Sequence, residues 1–80
     1  MTWAHDSPIG LAGRIVTATR GGQGTGEVEL HIRGGTEVFI AHSNDPLPVG
    51  AAVIVFATLG PRTLVVFPWA DPLDNILDLK

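Results

Sequence analysis

The residues best equipped for chemistry in this chain are few: two serines (Ser7, Ser43), three histidines (His5, His31, His42) and the carboxylates Glu27 and Glu29. A serine nucleophile needs a base within hydrogen-bond reach and a third group to orient that base. Ser43 directly follows His42, but neighbours on a strand point to opposite faces. Its setting, Ser43-Asn44-Asp45-Pro46, is one in which a hydroxyl caps a turn, and Ser7 precedes Pro8 in an N-terminal arm. Neither serine is expected to be catalytic. His31, His42, Glu27 and Glu29 are expected on one outward face, the layout of a weak surface zinc site. Their diagonal separation points instead to solvated polar residues with a cross-strand contact between Glu27 and His42. No catalytic residue, metal or cofactor is expected.

The run Gly21-Gly22-Gln23-Gly24-Thr25-Gly26 raises a second chemistry, the phosphate cradle. Such a cradle leads into a helix whose N-terminal amides hold the anion. This run leads into strand-like sequence and lacks the Gly-Lys-Ser/Thr ending of a nucleotide loop. It is expected to be a mobile connection between two strands.

What must position these residues is a small β domain. Eighty residues, 45% of them apolar and 16% charged, make one globular unit with an adequate core. The absence of cysteine excludes disulfides and thiolate zinc sites. A formal charge of −3 argues against a nucleic-acid surface, which rests on neutralising phosphates. No apolar run reaches membrane-span length, and the first ten residues lack the layout of a signal peptide, so the chain reads as soluble and intracellular. Strands are expected at 11–19, 26–33, 36–42, 51–58 and 62–67, separated by Gly- and Pro-containing breakers. The expected organisation is an arm over 1–8, a barrel over 9–68 and a tail over 69–80. In the tail, Asp71 suits a helix N-cap, Pro72 the first helical position, and Leu73, Ile76 and Leu77 share one face.

Gly34-Gly35 between two strand-like runs predicts a two-residue hairpin turn. That register opposes Arg33 to Thr36, His31 to Val38, Glu29 to Ile40 and Glu27 to His42. It turns Val28, Leu30, Ile32, Phe39 and Ala41 to the core.

The wider spacing pattern is Gly13-x-Ile15-x-Thr17, Gly26-x-Val28, Phe39-x-Ala41-x-Ser43, Gly50-x-x-Val53-x-Val55, Gly60 and Leu64-x-Val66-x-Pro68. Over roughly residues 11–68 this resembles the C-terminal soluble domain of NfeD-like proteins, and the tail lies outside the pattern. The resemblance implies a five-stranded OB-type β-barrel. It also implies a non-enzymatic partner domain associated with stomatin/flotillin-type membrane scaffold proteins. Family members often carry membrane helices ahead of the barrel; these 80 residues show none, so a short form or an excised domain is expected. Some members carry a separate serine protease domain, and nothing here supplies one. The implied placement is cytoplasmic, at a membrane through the partner.

The strand parity leaves one anomaly. If Val53, Val55, Leu64 and Val66 face inward, then Ile54, Phe56, Val65 and Phe67 face out, with Val38 and Ile40 beside them. Scattered exposed apolar residues need no explanation, but six on neighbouring strands form a patch. Either the tail folds back over it, or it is a surface for self-association or a protein partner. The contact residues read from this are Ile54, Phe56, Val65, Phe67, Trp69, Leu73, Ile76 and Leu77. The alternative function, single-stranded nucleic-acid binding, follows from the OB fold and its use of exposed aromatics beside basic residues. Here Arg14, Arg20, Arg33 and Arg62 are scattered away from the aromatic residues in sequence.

Overall fold

A computed structural model describes residues 7–32 and 34–69. The strands are β1 (Ala12–Thr17), β2 (Gly26–Ile32), β3 (Gly35–His42), β4 (Ala52–Gly60) and β5 (Thr63–Pro68). They close into a barrel in the order β1-β2-β3-β5-β4, with β4 returning to β1. Every pairing is antiparallel except β3 with β5. This is the expected all-β, five-stranded OB-type barrel. The strand bounds fall within two residues of those read from the sequence. The expected tail helix, with Leu73, Ile76 and Leu77, lies outside the described residues.

The barrel interior is built from alternate positions. β2 buries Val28, Leu30 and Ile32, and β3 buries Phe39 and Ala41. β1 adds Ile15, β4 adds Val53 and Val55, and β5 adds Leu64 and Val66. Two glycines make the closure sterically possible. A Cβ on Gly13 would overlap Leu30 Cδ2 and lie 2.7 Å from the Glu29 carbonyl oxygen. On Gly26 it would overlap Thr17 O, where β1 bulges between Ile15 and Thr17.

The β2–β3 register differs from the expected one. Ile32 pairs with Gly35, His31 with Thr36, Glu29 with Val38 and Glu27 with Ile40. Of the two glycines, Gly34 takes positive φ (+80°), while Gly35 begins β3. The shift moves each residue two places along its partner strand. Because side chains alternate with a period of two, such a slip keeps every residue on its face, and the apolar pattern cannot detect it. The expected Glu27–His42 contact is therefore replaced: Thr17 Oγ1 donates to Glu27 Oε1 at 2.6 Å, and His42 sits opposite Val65.

The glycine-rich segment is a folded 3₁₀ turn, Gly21–Gln23, rather than a loose link. The Gln23 amide donates to the Arg20 carbonyl, and the Arg20 amide to the Gly24 carbonyl. Gly21, at φ +63°, packs so tightly on the 44–46 loop that a Cβ would lie 2.9 Å from Asn44 O. Buried Thr19 staples that loop, donating from Oγ1 to Asp45 O (3.1 Å) and accepting from Leu47 N (2.8 Å). Leu47 is thereby held as a plug in the core.

Candidate interaction surface

The outward side of β4 and β5 follows from the inward side. With Val53, Val55, Leu64 and Val66 buried, Ile54 and Val65 come out half-buried and Phe56 and Phe67 exposed. Ile54 pairs directly with Phe67. A bulge between Val55 and Ala57 releases Phe56 from the ladder, and a second between Thr58 and Gly60 does the same for Leu59. Both bulge residues are apolar and well exposed, Phe56 at 59% and Leu59 at 61%. The Phe56 and Phe67 rings stack with centroids 4.8 Å apart and planes inclined by 26°. An offset aromatic pair of this kind is a preformed plate on the surface. On the other side of β5, Ile40 pairs with Thr63, which brings Val38 and Ile40, both partly exposed, alongside.

Four of the expected contact residues, Ile54, Phe56, Val65 and Phe67, thus share this face. Trp69 is the fifth expected contact residue within the described part of the chain. Its amide donates to Ala52 O at 2.9 Å, which fixes it two residues beyond Phe67, and it lines a concavity of ≈ 490 Å³. The rest of that concavity is formed by Ala12, Gly13, Arg14, Glu29, His31 and Ala52. Small residues make its floor, while Arg14 and Glu29 face each other across β1 and β2. Sequence reading missed it because closure of β1 on β4 brings its two sides together. The only local trace is the smallness of Ala12, Gly13 and Ala52 among larger neighbours.

Charge is distributed unevenly over the barrel. From Pro46 to Trp69 the chain carries a single charged residue, Arg62. Its guanidinium turns towards β3: Nη1 donates to Glu37 Oε1 at 2.9 Å, Nη2 donates to the Val38 carbonyl, and the cation lies 4.5 Å from the Phe39 ring centroid. The Arg62 carbonyl also accepts from the Ile40 amide at 2.7 Å. Arg62 thereby locks the parallel seam, where only Ile40, Ala41 and His42 pair with β5.

The sequence's other chemical candidates are occupied with structure. Ser43 is buried and its Oγ accepts from the Asp45 amide at 3.2 Å, the turn-capping role expected of it. Ser7 Oγ accepts from the Ile9 amide at 3.3 Å. His31 and His42 occupy different parts of the surface, one in the Trp69 concavity and the other beside the glycine-rich turn. The concavity at that turn, ≈ 300 Å³, is lined by no lysine or arginine. Among the described residues, no group of three His, Cys, Asp or Glu side chains could hold a metal ion. Among them, too, no helix is long and apolar enough to cross a membrane.

Residues 12–67 match the family model of the NfeD C-terminal domain. In fold the chain is similar to the soluble domain of the NfeD protein YuaF from Bacillus subtilis, with 30% identity and a TM-score of 0.67 over 84% of this chain and 80% of that one. It is also similar to the C-terminal domain of stomatin operon partner protein 1510-C from Pyrococcus horikoshii. There the identity is 27% and the TM-score 0.62, over 80% of this chain and 91% of that one. No curated protein matches the chain.

Proposed function

The chain belongs to the NfeD C-terminal domain family, and on that premise we propose that it is a non-enzymatic protein-interaction module whose contact surface is the outward face of β4 and β5. The observation that carries this reading is the exposed Phe56–Phe67 plate, set in a stretch of strand surface that carries no charge of its own. The barrel does not need those rings, because the inward residues of the same strands already fill the core. Apolar surface left in water at this density is stabilised when another surface covers it. One protein of similar fold is a stomatin operon partner, so the partner class is a stomatin/flotillin-type scaffold. The module then works in the cytoplasm, at a membrane reached through that scaffold. Trp69 extends the footprint towards the neighbouring concavity, and Leu73, Ile76 and Leu77 are further candidate contacts from the sequence.

The nucleic-acid alternative has a weaker footing. The concavity with Trp69 does contain a cation, Arg14, but Glu29 stands opposite it and the whole chain is at −3. Phosphate neutralisation has little to work with there.

The test is the double variant Phe56→Ser/Phe67→Ser, titrated calorimetrically against a purified stomatin-type protein. We expect the dispersed amide spectrum of the fold to survive and affinity to fall by at least about ten-fold, since central aromatic anchors dominate interfaces. Undiminished affinity in a folded variant would remove this face from the function. Loss of the folded spectrum would instead assign both rings to the core.

A further inference from the structure

The face has a property that selects its occupant. Arg62, the one charge between Pro46 and Trp69, is committed to β3 through Glu37 and the Phe39 ring. A charged surface pressed against β4 and β5 would lose its hydration and meet no counter-charge on the outward residues of those two strands. The surface that fits is uncharged and apolar, and this chain presents such a surface itself. The acidic positions described on β2, Glu27 and Glu29, lie on a strand separated from β4 by β1 and from β5 by β3. Two copies meeting through β4 and β5 therefore keep the Glu27 and Glu29 carboxylates away from the contact, while Glu37, on β3 beside β5, is paired with Arg62.

We infer that a second copy of this chain covers the face, related by a two-fold axis, with the Phe56–Phe67 plate of one protomer against the plate of its partner. A two-fold contact uses the same patch from both sides, so a patch without charge is automatically free of like-charge conflict. Within one copy the two rings cover each other on one side only, leaving an edge and a face for a second aromatic pair. Ile54, Val65 and Ile40 supply the apolar rim of the contact. This inference rests on the reading that protein covers the face, and adds a second copy of the chain as an occupant beside the scaffold-type partner. One consequence follows by mass action: a scaffold protein that uses the same rings competes with pairing, so its apparent affinity falls as the domain is concentrated.

Sedimentation of the full chain from about 10 μM to about 1 mM tests this, together with amide spectra over the same range. Pairing raises the apparent mass about two-fold from 8.4 kDa and shifts the amides around Ile54–Phe56 and Val65–Phe67 with concentration. Phe56→Ser/Phe67→Ser stays monomeric throughout. A mixed sample of labelled and unlabelled wild-type chain needs no variant and shows ring-to-ring contacts between copies. A monomer at every concentration, with the rings reached by a soluble paramagnetic probe, overturns the second copy and leaves the face open to a different protein. A monomer whose rings are shielded from the probe overturns both readings, since the chain then covers the face itself. A dimer without ring contacts between copies places its interface elsewhere and overturns the inference.

Discussion

Inside the barrel, the β2–β3 and β4–β5 hairpins are hard to tell apart. One contributes Val28, Leu30, Ile32 and Phe39, the other Val53, Val55, Leu64 and Val66, all at most 6% exposed. Outside, β2 diverges from β4 and β5. β2 alternates its buried residues with Glu27, Glu29 and His31, whereas β4 and β5 alternate theirs with Ile54, Phe56, Val65 and Phe67. Burying each inward side chain contributes on the order of 1.5–3 kcal/mol, while an outward side chain without a specific partner contributes about 0.5 kcal/mol or less. The inward pattern therefore explains the barrel, and the outward apolar residues of β4 and β5 are left over. What folding does not require is where contact with other molecules has to be sought.

The strongest way to break this contrast is at Leu30, which is wholly buried. Leu30→Ala removes three carbons from the centre of the core and leaves a cavity, for which about 2–5 kcal/mol of lost stability is expected in urea unfolding. A loss under about 1 kcal/mol would mean that the interior is loosely packed and that the two faces are not energetically distinct.

The same contrast explains how much could be read from the sequence. Strand positions and inward parity were legible because both rest on a period-two pattern that each segment carries by itself. The β2–β3 register was not, since a two-residue slip conserves that pattern; in the observed register Gly34 takes positive φ and Gly35 already pairs with Ile32. The outward position of Phe56 was legible from parity, but the bulge that frees it from the ladder was not. The Trp69 concavity and the Arg62–Phe39 contact join residues far apart in the chain, and appear only once the barrel closes.

A smaller effect is expected where the two hairpins meet. The seam between β3 and β5 is short, and Arg62 spans it with an ion pair, a hydrogen bond to the Val38 carbonyl and a contact over Phe39. Arg62→Met keeps most of the side-chain length and removes the charge. The ion pair is half in water, with the Arg62 side chain 55% exposed, so it contributes under about 1 kcal/mol. The cation over Phe39 adds roughly 0.5–1 kcal/mol. We expect a total loss of about 1–2 kcal/mol, reduced at high salt only by the ion-pair share. A loss that vanished entirely in salt would show that the ring contact adds nothing.

The smallest stability effects sharpen the comparison most. Glu29 and Phe56 are both outward, one on each hairpin, and neither fills the core. Glu29→Ala should change stability by no more than about 0.5 kcal/mol. Phe56→Ser should cost about 0.5–1.5 kcal/mol, the contribution of its stack with Phe67. Urea unfolding would thus separate the two variants by no more than about 1.5 kcal/mol. Sedimentation should separate them, with Glu29→Ala pairing as the parent chain does and Phe56→Ser weakened. If both variants lost association equally, the contact would straddle the barrel, and the apolar character of β4 and β5 would not be what selects the partner. If only Phe56→Ser loses it, two residues nearly equal in folding differ in association, and that difference assigns the outer face of β4 and β5 to contact with another copy.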